Sequence, residues 1–140
     1  MKAMAKRGVL AVVGTALCAM CLSGCGKQPD NEMVLRATVE QVNALTPMEV
    51  DEITRLDSAS YVLPTTLRYH YTLALDSLTE TERADMVAYM RATLPDRIRE
   101  EKGSEALGRL GVELQYCYFN PSDKLLLELA VAPTEYACEK

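Results

Sequence analysis

Apolar and polar residues alternate with a period of two through long stretches of the second half of the chain. In Thr66 to Leu75, every second residue is Leu or Tyr, and the residues between them are mostly polar. The same alternation runs through Val112 to Tyr118 and again through Leu125 to Val131. A period of two is typical of a β-strand that buries one face. These segments predict three strands, and the last two form a hairpin across the turn residues 120–123.

A fourth strand is predicted over Glu52 to Ser60, where β-branched and aromatic residues are frequent but alternate imperfectly. The segment 62–65 contains Pro64 and is predicted to form a turn before the next strand.

Apolar residues at helical spacing predict two helical regions. The first helix is expected from Glu32 to Leu45, with Asn31 as its N-cap and Pro47 beyond its end. The second region extends from Thr79 to Leu110 in two or three pieces, because Pro95 should break or kink it and Gly103 should stop it. Thr79 and Glu82 have the spacing of a capping box, which marks the start of this region.

The predicted elements follow the order α-β-β-α-β-β. The sequence therefore predicts an α+β domain with an antiparallel four-stranded sheet and helices on one face. One core of this kind fits the 116 residues from Cys25 onward.

The first 24 residues have the features of an export signal. Lys2, Lys6 and Arg7 are their only charged residues, and Gly8 to Leu22 forms an apolar run of 15 residues. A transmembrane helix needs roughly 20 such residues, so this run is short for a membrane span. A cationic start followed by a short apolar run indicates secretion across a membrane.

The end of this segment reads Leu22-Ser23-Gly24-Cys25 and resembles the lipobox of bacterial lipoproteins. The resemblance implies cleavage before Cys25 by signal peptidase II, a diacylglycerol on the Cys25 thiol and, as is usual, an acyl group on its new amine. It divides the chain into a signal peptide (1–24), a lipidated cysteine with a short linker (25–31) and one domain (32–140). Two alternatives are an ordinary secretory signal with an incidental cysteine and an uncleaved anchor helix.

Lipidation at Cys25 would make the membrane a partner and would place the protein in the cell envelope. Two or three acyl chains hold a protein on a bilayer far more firmly than one. Gly26 follows the cysteine, whereas Asp at this position favours retention in the inner membrane in enterobacteria-like sorting. If the source is Gram-negative, Gly26 therefore favours the periplasmic face of the outer membrane. The linker is short: five extended residues span about 17 Å, which keeps the domain near the bilayer.

Charge narrows the range of partners. The chain has a formal charge of −5, and the part from Cys25 onward carries 12 cations and 20 anions, a charge of −8. Nucleic-acid binding needs a basic surface, so the sequence argues against a nucleic-acid partner.

Five cysteines become two after processing. Cys18 and Cys21 lie in the predicted signal peptide, and Cys25 is the predicted lipid site. Cys117 and Cys138 remain, and in an oxidising compartment they are predicted to form a disulfide that closes a 22-residue loop. Such a loop would stabilise the fold by about 3 kcal/mol. The alternative is a buried free Cys117 and an unpaired Cys138 in the tail.

Few residues carry recognisable chemistry. Four tyrosines on the predicted strands, Tyr69, Tyr71, Tyr116 and Tyr118, could form an aromatic platform for a sugar or peptide, but packing of the sheet against the helices is the favoured reading. His70 is the one histidine, and no catalytic, metal-binding or nucleotide-binding motif accompanies it. We therefore expect no enzymatic activity, no metal and no cofactor.

The second face of the predicted sheet mixes polar and apolar residues. Its candidate partner-binding residues are Arg68, His70, Glu113, Gln115, Phe119 and Leu126. An uncovered face of this kind could bind a protein. The alternative is that the C-terminal tail covers it.

The domain also resembles small uncharacterised exported bacterial domains. The resemblance rests on the segments 54–58, 67–73 and 111–118 and implies no activity. The favoured function is a non-enzymatic binding or assembly lipoprotein of the envelope that docks an exported protein. An inhibitor or immunity-type lipoprotein against a toxin or lytic enzyme is the alternative. A small-ligand carrier or hydrolase is a third hypothesis, which a deep apolar pocket would favour.

Overall fold

A computed structural model describes residues 30–101 and 103–137. The predicted signal peptide, Cys25 and Cys138 lie outside these residues. A five-stranded sheet has the spatial order β1-β2-β3-β4-β5. Its strands are β1 (Met48–Glu49), β2 (Thr54–Val62), β3 (Thr66–Leu73), β4 (Glu113–Phe119) and β5 (Leu125–Val131). The helices are α1 (Asn31–Leu45), α2 (Glu80–Arg99), α3 (Ser104–Arg109) and α4 (Pro133–Tyr136).

The α+β class is confirmed, but the four-stranded antiparallel sheet was wrong. The sheet is mixed, because β3 and β4 pair in parallel while the other neighbours pair antiparallel. The connection between β3 and β4 contains α2 and α3, and a long helical crossover returns the chain to the end where β3 began. The additional strand β1 pairs with β2 through only two residues, too few to produce a visible alternation.

The helix boundaries follow local capping. Asp30, one residue before the predicted cap, accepts a hydrogen bond from the Met33 amide at 2.8 Å and begins α1. The predicted capping box of α2 is present, since Thr79 accepts from the Glu82 amide and Glu82 accepts from the Thr79 amide. Of the break or kink predicted at Pro95, the break does not occur: α2 continues through it to Arg99, and the region forms two helices. The buried side chains on either side of Pro95, Leu94 and Ile98, anchor this part of the helix to the core.

One core lies on one face of the sheet, and α1, α2, α3 and α4 all contribute to it or pack against it, as predicted. The strand residues that point into this core include Leu56, Leu67, Tyr69, Tyr71, Leu114, Tyr116, Leu127 and Leu129. Burying each of these leucine side chains stabilises the fold by roughly 1.5–3 kcal/mol relative to exposure.

Side chains cover part of each sheet edge. At the β2 edge, the Asn43 side chain accepts from the Ala59 amide at 2.7 Å and donates to the Ala59 carbonyl at 3.0 Å. This pair of bonds satisfies backbone groups that could otherwise pair with another chain. At the β5 edge, two arginines of α2 donate to strand carbonyls, Arg83 to Leu126 and Arg91 to Ala130.

The end of the described chain packs on the helical side of the sheet. Tyr136 is 1% exposed and donates its hydroxyl to the Val112 carbonyl at 2.5 Å. Ala137 lies so close to Gly108 that a side chain at Gly108 would collide with it, at 2.6 Å between β-carbons. The tail therefore does not cover the opposite face of the sheet as far as Ala137. None of the helices in the described ranges has the length and apolarity that a bilayer crossing requires.

Candidate binding cleft

Four tyrosines form a stacked layer in the centre of the sheet. Parallel pairing places Tyr69 beside Tyr116 and Tyr71 beside Tyr118. The ring centroids of these pairs are 5.3 Å and 4.7 Å apart, with interplanar angles of 29° and 14°. The prediction that these tyrosines pack in the core agrees with this arrangement. The tyrosines also form the floor of a cleft, so part of this layer borders open space.

The cleft lies between α2 and the segment that joins β1 to β2. Its volume is about 190 Å³. One wall consists of α2 residues that include Met86, Tyr89, Thr93 and Arg97, and the other includes Val50, Asp51 and Thr54. Tyr89 is 60% exposed, so an aromatic ring stands at the cleft in contact with solvent.

The charged groups of the cleft lie on opposite walls. Burial raises the pKa of Tyr118, and the nearby Asp51 carboxylate raises it further, whereas Arg97 opposes the shift. Burial likewise raises the pKa of Tyr71 and Tyr116, and Arg97 again opposes it. The tyrosines therefore remain neutral at physiological pH. Arg97 and Asp51 are both close to the tyrosine layer and can contact a bound group.

The cleft volume selects the kind of group that it can hold. Binding sites for drug-sized ligands occupy about 300–1,000 Å³, which is more than this cleft offers. A cavity of about 150 Å³ accepts a benzene ring. The cleft therefore fits one ring-sized or leucine-sized side chain of a longer segment better than it fits a whole small ligand.

The sequence pattern indicated only part of this site. The apolar stripe of the second helical region includes Met86 and Tyr89, and this pattern predicts that they face the core. Arg97 belongs to a cluster of charged residues that is predicted to lie on a solvated helix face. The spacing of Met86, Tyr89, Thr93 and Arg97 at three or four residues could have shown that they share one side of α2, but the opposite wall depends on tertiary packing.

The predicted partner face lies on the other side of the sheet and is rich in hydrogen bonds. Arg68 donates to Gln115 at 2.7 Å, and Gln115 donates to Glu113 at 3.1 Å. His70 contacts the Ser60 hydroxyl at 2.9 Å and stacks on Phe119 with centroids 6.0 Å apart. Burial and the neighbouring Arg68 lower the pKa of His70, while Asp57 opposes the shift.

Five of the six predicted face residues are therefore brought together. Leu126 differs, because it is 4% exposed and lies beside an irregularity in the pairing of β4 with β5. Its burial leaves little side chain for a partner to contact. Partner binding by the other five residues stays a prediction.

Cys117 also lies on this face, beside His70 in the register. It is a buried free cysteine among the described residues, and burial raises its thiol pKa. Its predicted partner, Cys138, lies outside the described residues, so the disulfide stays a prediction.

No cluster of potential metal ligands occurs within residues 30–101 and 103–137. The predicted absence of a metal or cofactor therefore stays an expectation for the whole chain.

Comparison with known proteins identifies the domain. The family of the domain of unknown function DUF8479 matches residues 30–127, and the chain belongs to this family. Among curated proteins, no sequence matches it significantly.

Two solved structures have a similar fold. The first is a candidate secreted protein from Pseudomonas aeruginosa, with a TM-score of 0.61 and 15% identity, covering 76% of this chain and 91% of the other. The second is the pilotin EpsS from the type 2 secretion system of Vibrio vulnificus, with a TM-score of 0.53 and 12% identity, covering 77% and 93% of the two chains. At these identities the comparisons establish a shared fold.

Proposed function

We propose that this protein is a non-enzymatic assembly or binding lipoprotein of the bacterial envelope, anchored through Cys25. It binds a segment of an exported protein partner in the cleft between α2 and the sheet. The observation that carries this proposal is the tyrosine-floored cleft of about 190 Å³, whose size suits one inserted side chain of a partner. The fold is similar to that of a type 2 secretion pilotin, which supports a role in envelope assembly.

The chemistry of the cleft specifies the segment. Apolar side chains and tyrosine rings surround the inserted group, so this group is aromatic or a large aliphatic. Arg97 on one wall can donate to a carbonyl or carboxylate of the partner, and Asp51 on the other can accept from its amides or cations. The partner is therefore a polypeptide with an apolar anchor between polar groups.

Photo-cross-linking in the native envelope tests the cleft. A photoreactive phenylalanine analogue replaces Tyr89, and in a separate control chain it replaces Leu125, which is 46% exposed and does not line the cleft. We expect a cross-link to an exported envelope protein from position 89 and none to that protein from position 125.

A second substitution shows whether the cleft itself is required. Thr93→Trp fills the cleft, and Glu128→Trp adds the same bulk to an exposed position on the opposite face. We expect Thr93→Trp to abolish the cross-link and to weaken binding of the purified partner at least about tenfold, equivalent to about 1.4 kcal/mol. Loss of the cross-link with Glu128→Trp and its retention with Thr93→Trp would instead assign binding to the opposite face of the sheet. We call this face, which carries Arg68, His70, Glu113, Gln115 and Phe119, the open face.

The lipid anchor has its own test. After export, a Cys25→Ser chain should leave the membrane fraction, because it has no site for the diacylglycerol. Retention of this variant in the membrane would contradict the anchor while leaving the cleft experiment valid.

A further inference from the structure

Three of the exposed large apolar side chains of the described residues lie at one end of the sheet. Met33, Val62 and Leu63 lie at the end where β2 turns into β3, with exposed fractions of 52%, 44% and 53%. The remaining members, Leu45, Ile53, Tyr89 and Leu125, lie elsewhere, and Tyr89 lines the cleft. We call the first group, Met33, Val62 and Leu63, the anchor-end patch.

A contact between α1 and β2 places the residues of the patch at one end of the domain. Arg36 lies next to Tyr61, and this interaction is the main cause of the raised pKa of Arg36. Met33 lies one helical turn before Arg36, and Val62 and Leu63 directly follow Tyr61. The first turn of α1 and the β2–β3 turn are therefore at the same end of the domain.

The patch also lies at the end of the domain to which the anchor is attached. Asp30 caps α1 immediately before Asn31, so the described chain begins at this end. The five residues from Gly26 to Asp30 follow Cys25, and when extended they span about 17 Å. A lipid on Cys25 therefore holds this end of the domain against the headgroup region.

We propose that the anchor-end patch inserts into the surface of the bilayer and fixes the orientation of the domain. The proposal rests on the lipid anchor of the proposed function. The patch occupant is a lipid surface rather than another protein, because the linker is too short to hold this end far from the membrane.

Apolar contact, and not charge, drives this interaction. The part of the chain from Cys25 onward has a formal charge of −8, so anionic lipids repel the domain as a whole. In the patch, the nearby Arg36 is paired with Glu32 at 2.6 Å and leaves no net positive charge between them. The contact should therefore persist at high salt, unlike adsorption through basic residues.

This orientation directs the cleft away from the bilayer. The patch residue Val62 and the cleft residue Thr54 are the two ends of β2. Eight steps along a strand cover about 26 Å, so the cleft remains accessible to a partner in the aqueous compartment.

Tryptophan fluorescence tests the proposal with little background, because the sequence contains no Trp. The full chain is produced in a bacterium that processes lipoproteins, and its mass establishes whether Cys25 is lipidated. Leu63→Trp reports on the patch, and Leu125→Trp is the matched control at the other end of the sheet. Each variant is placed in vesicles of phosphatidylethanolamine and phosphatidylglycerol, with or without brominated acyl chains that quench Trp.

We expect brominated lipid to quench the Leu63→Trp emission about twofold and to leave the Leu125→Trp emission unchanged. The quenching of Leu63→Trp should be the same at about 0.5 M salt. Equal quenching of both variants, or none in a lipidated Leu63→Trp chain, would overturn the orientation while the anchor stands. A chain that carries no lipid would overturn both the orientation and the lipid anchor. The mass measurement distinguishes this outcome from a failure of the orientation alone. Circular dichroism of both variants checks that the fold is retained.

Discussion

The two faces of the sheet are built from the same strands but hold together in different ways. In β3, Leu67, Tyr69 and Tyr71 point into the core and are at most 7% exposed. Their neighbours Arg68 and His70 point to the other face and are half-buried among polar partners.

This difference makes the two faces contribute unequally to stability. The helical face removes large apolar side chains from water, so each truncation there leaves a cavity. On the open face, hydrogen bonds replace bonds to water and contribute much less each. The binding cleft occurs on the stabilising face, where α2 does not fully cover the tyrosines. A sequence pattern of buried tyrosines therefore marked a candidate site that core packing alone would not suggest.

The largest expected contrast is between two adjacent residues of β3. Leu67→Ala should lower the free energy of unfolding by about 3 kcal/mol, because Leu67 is completely buried and its truncation leaves a cavity. Arg68→Ala should cost about 1 kcal/mol or less, because it removes one half-exposed hydrogen bond to Gln115. Urea denaturation of both variants measures the difference.

Equal losses for these two variants would show that the open face contributes as much to stability as the core. The slope of unfolding free energy against urea should stay unchanged in both, which would indicate that the denatured state is not altered.

The next effect concerns Cys117, whose thiol is buried within the open face. Its raised pKa and low exposure predict slow alkylation in the folded protein, and the predicted disulfide with Cys138 predicts that labelling in denaturant requires a reductant. Mass spectrometry of the labelled peptide measures both rates. Rapid labelling in denaturant without a reductant would show that Cys117 is free and would contradict the disulfide.

The smallest effect is the pH dependence from His70. Because its pKa is lowered in the fold, the unfolded chain binds protons more readily as the pH falls below about 6.5. Stability should therefore decrease from pH 7.5 to pH 5.5, in a range where most carboxylates remain ionised. His70→Gln should reduce this decrease, as measured by thermal unfolding across the range. An identical pH dependence in the variant would mean that other groups cause it.

Sequence patterns predicted most of the elements but less of their arrangement. The alternation in Thr66 to Leu75 matched β3 to within two residues, and the capping box placed the start of α2. Pro95 did not interrupt α2, because buried neighbours outweigh the loss of one backbone donor. The short strand β1 could not be predicted, since two residues carry no detectable period.

The candidate site also shows that sequence patterns predict elements better than their arrangement. The stripe on α2 and the tyrosines on β3 and β4 were visible as separate patterns. Their meeting in one cleft depends on the parallel pairing of β3 with β4, which no local pattern specifies.

The sequence by itself predicted an export signal and a lipid site, and it determined the acidic charge and the helices and strands with long periodic patterns. These features depend on residues that are near one another along the chain. The tertiary structure decided which strands pair, where α2 leaves the tyrosines uncovered, and which end of the sheet lies near the start of the described chain. Those features arise from contacts between distant segments, whose free energy depends on packing geometry and not on local periodicity.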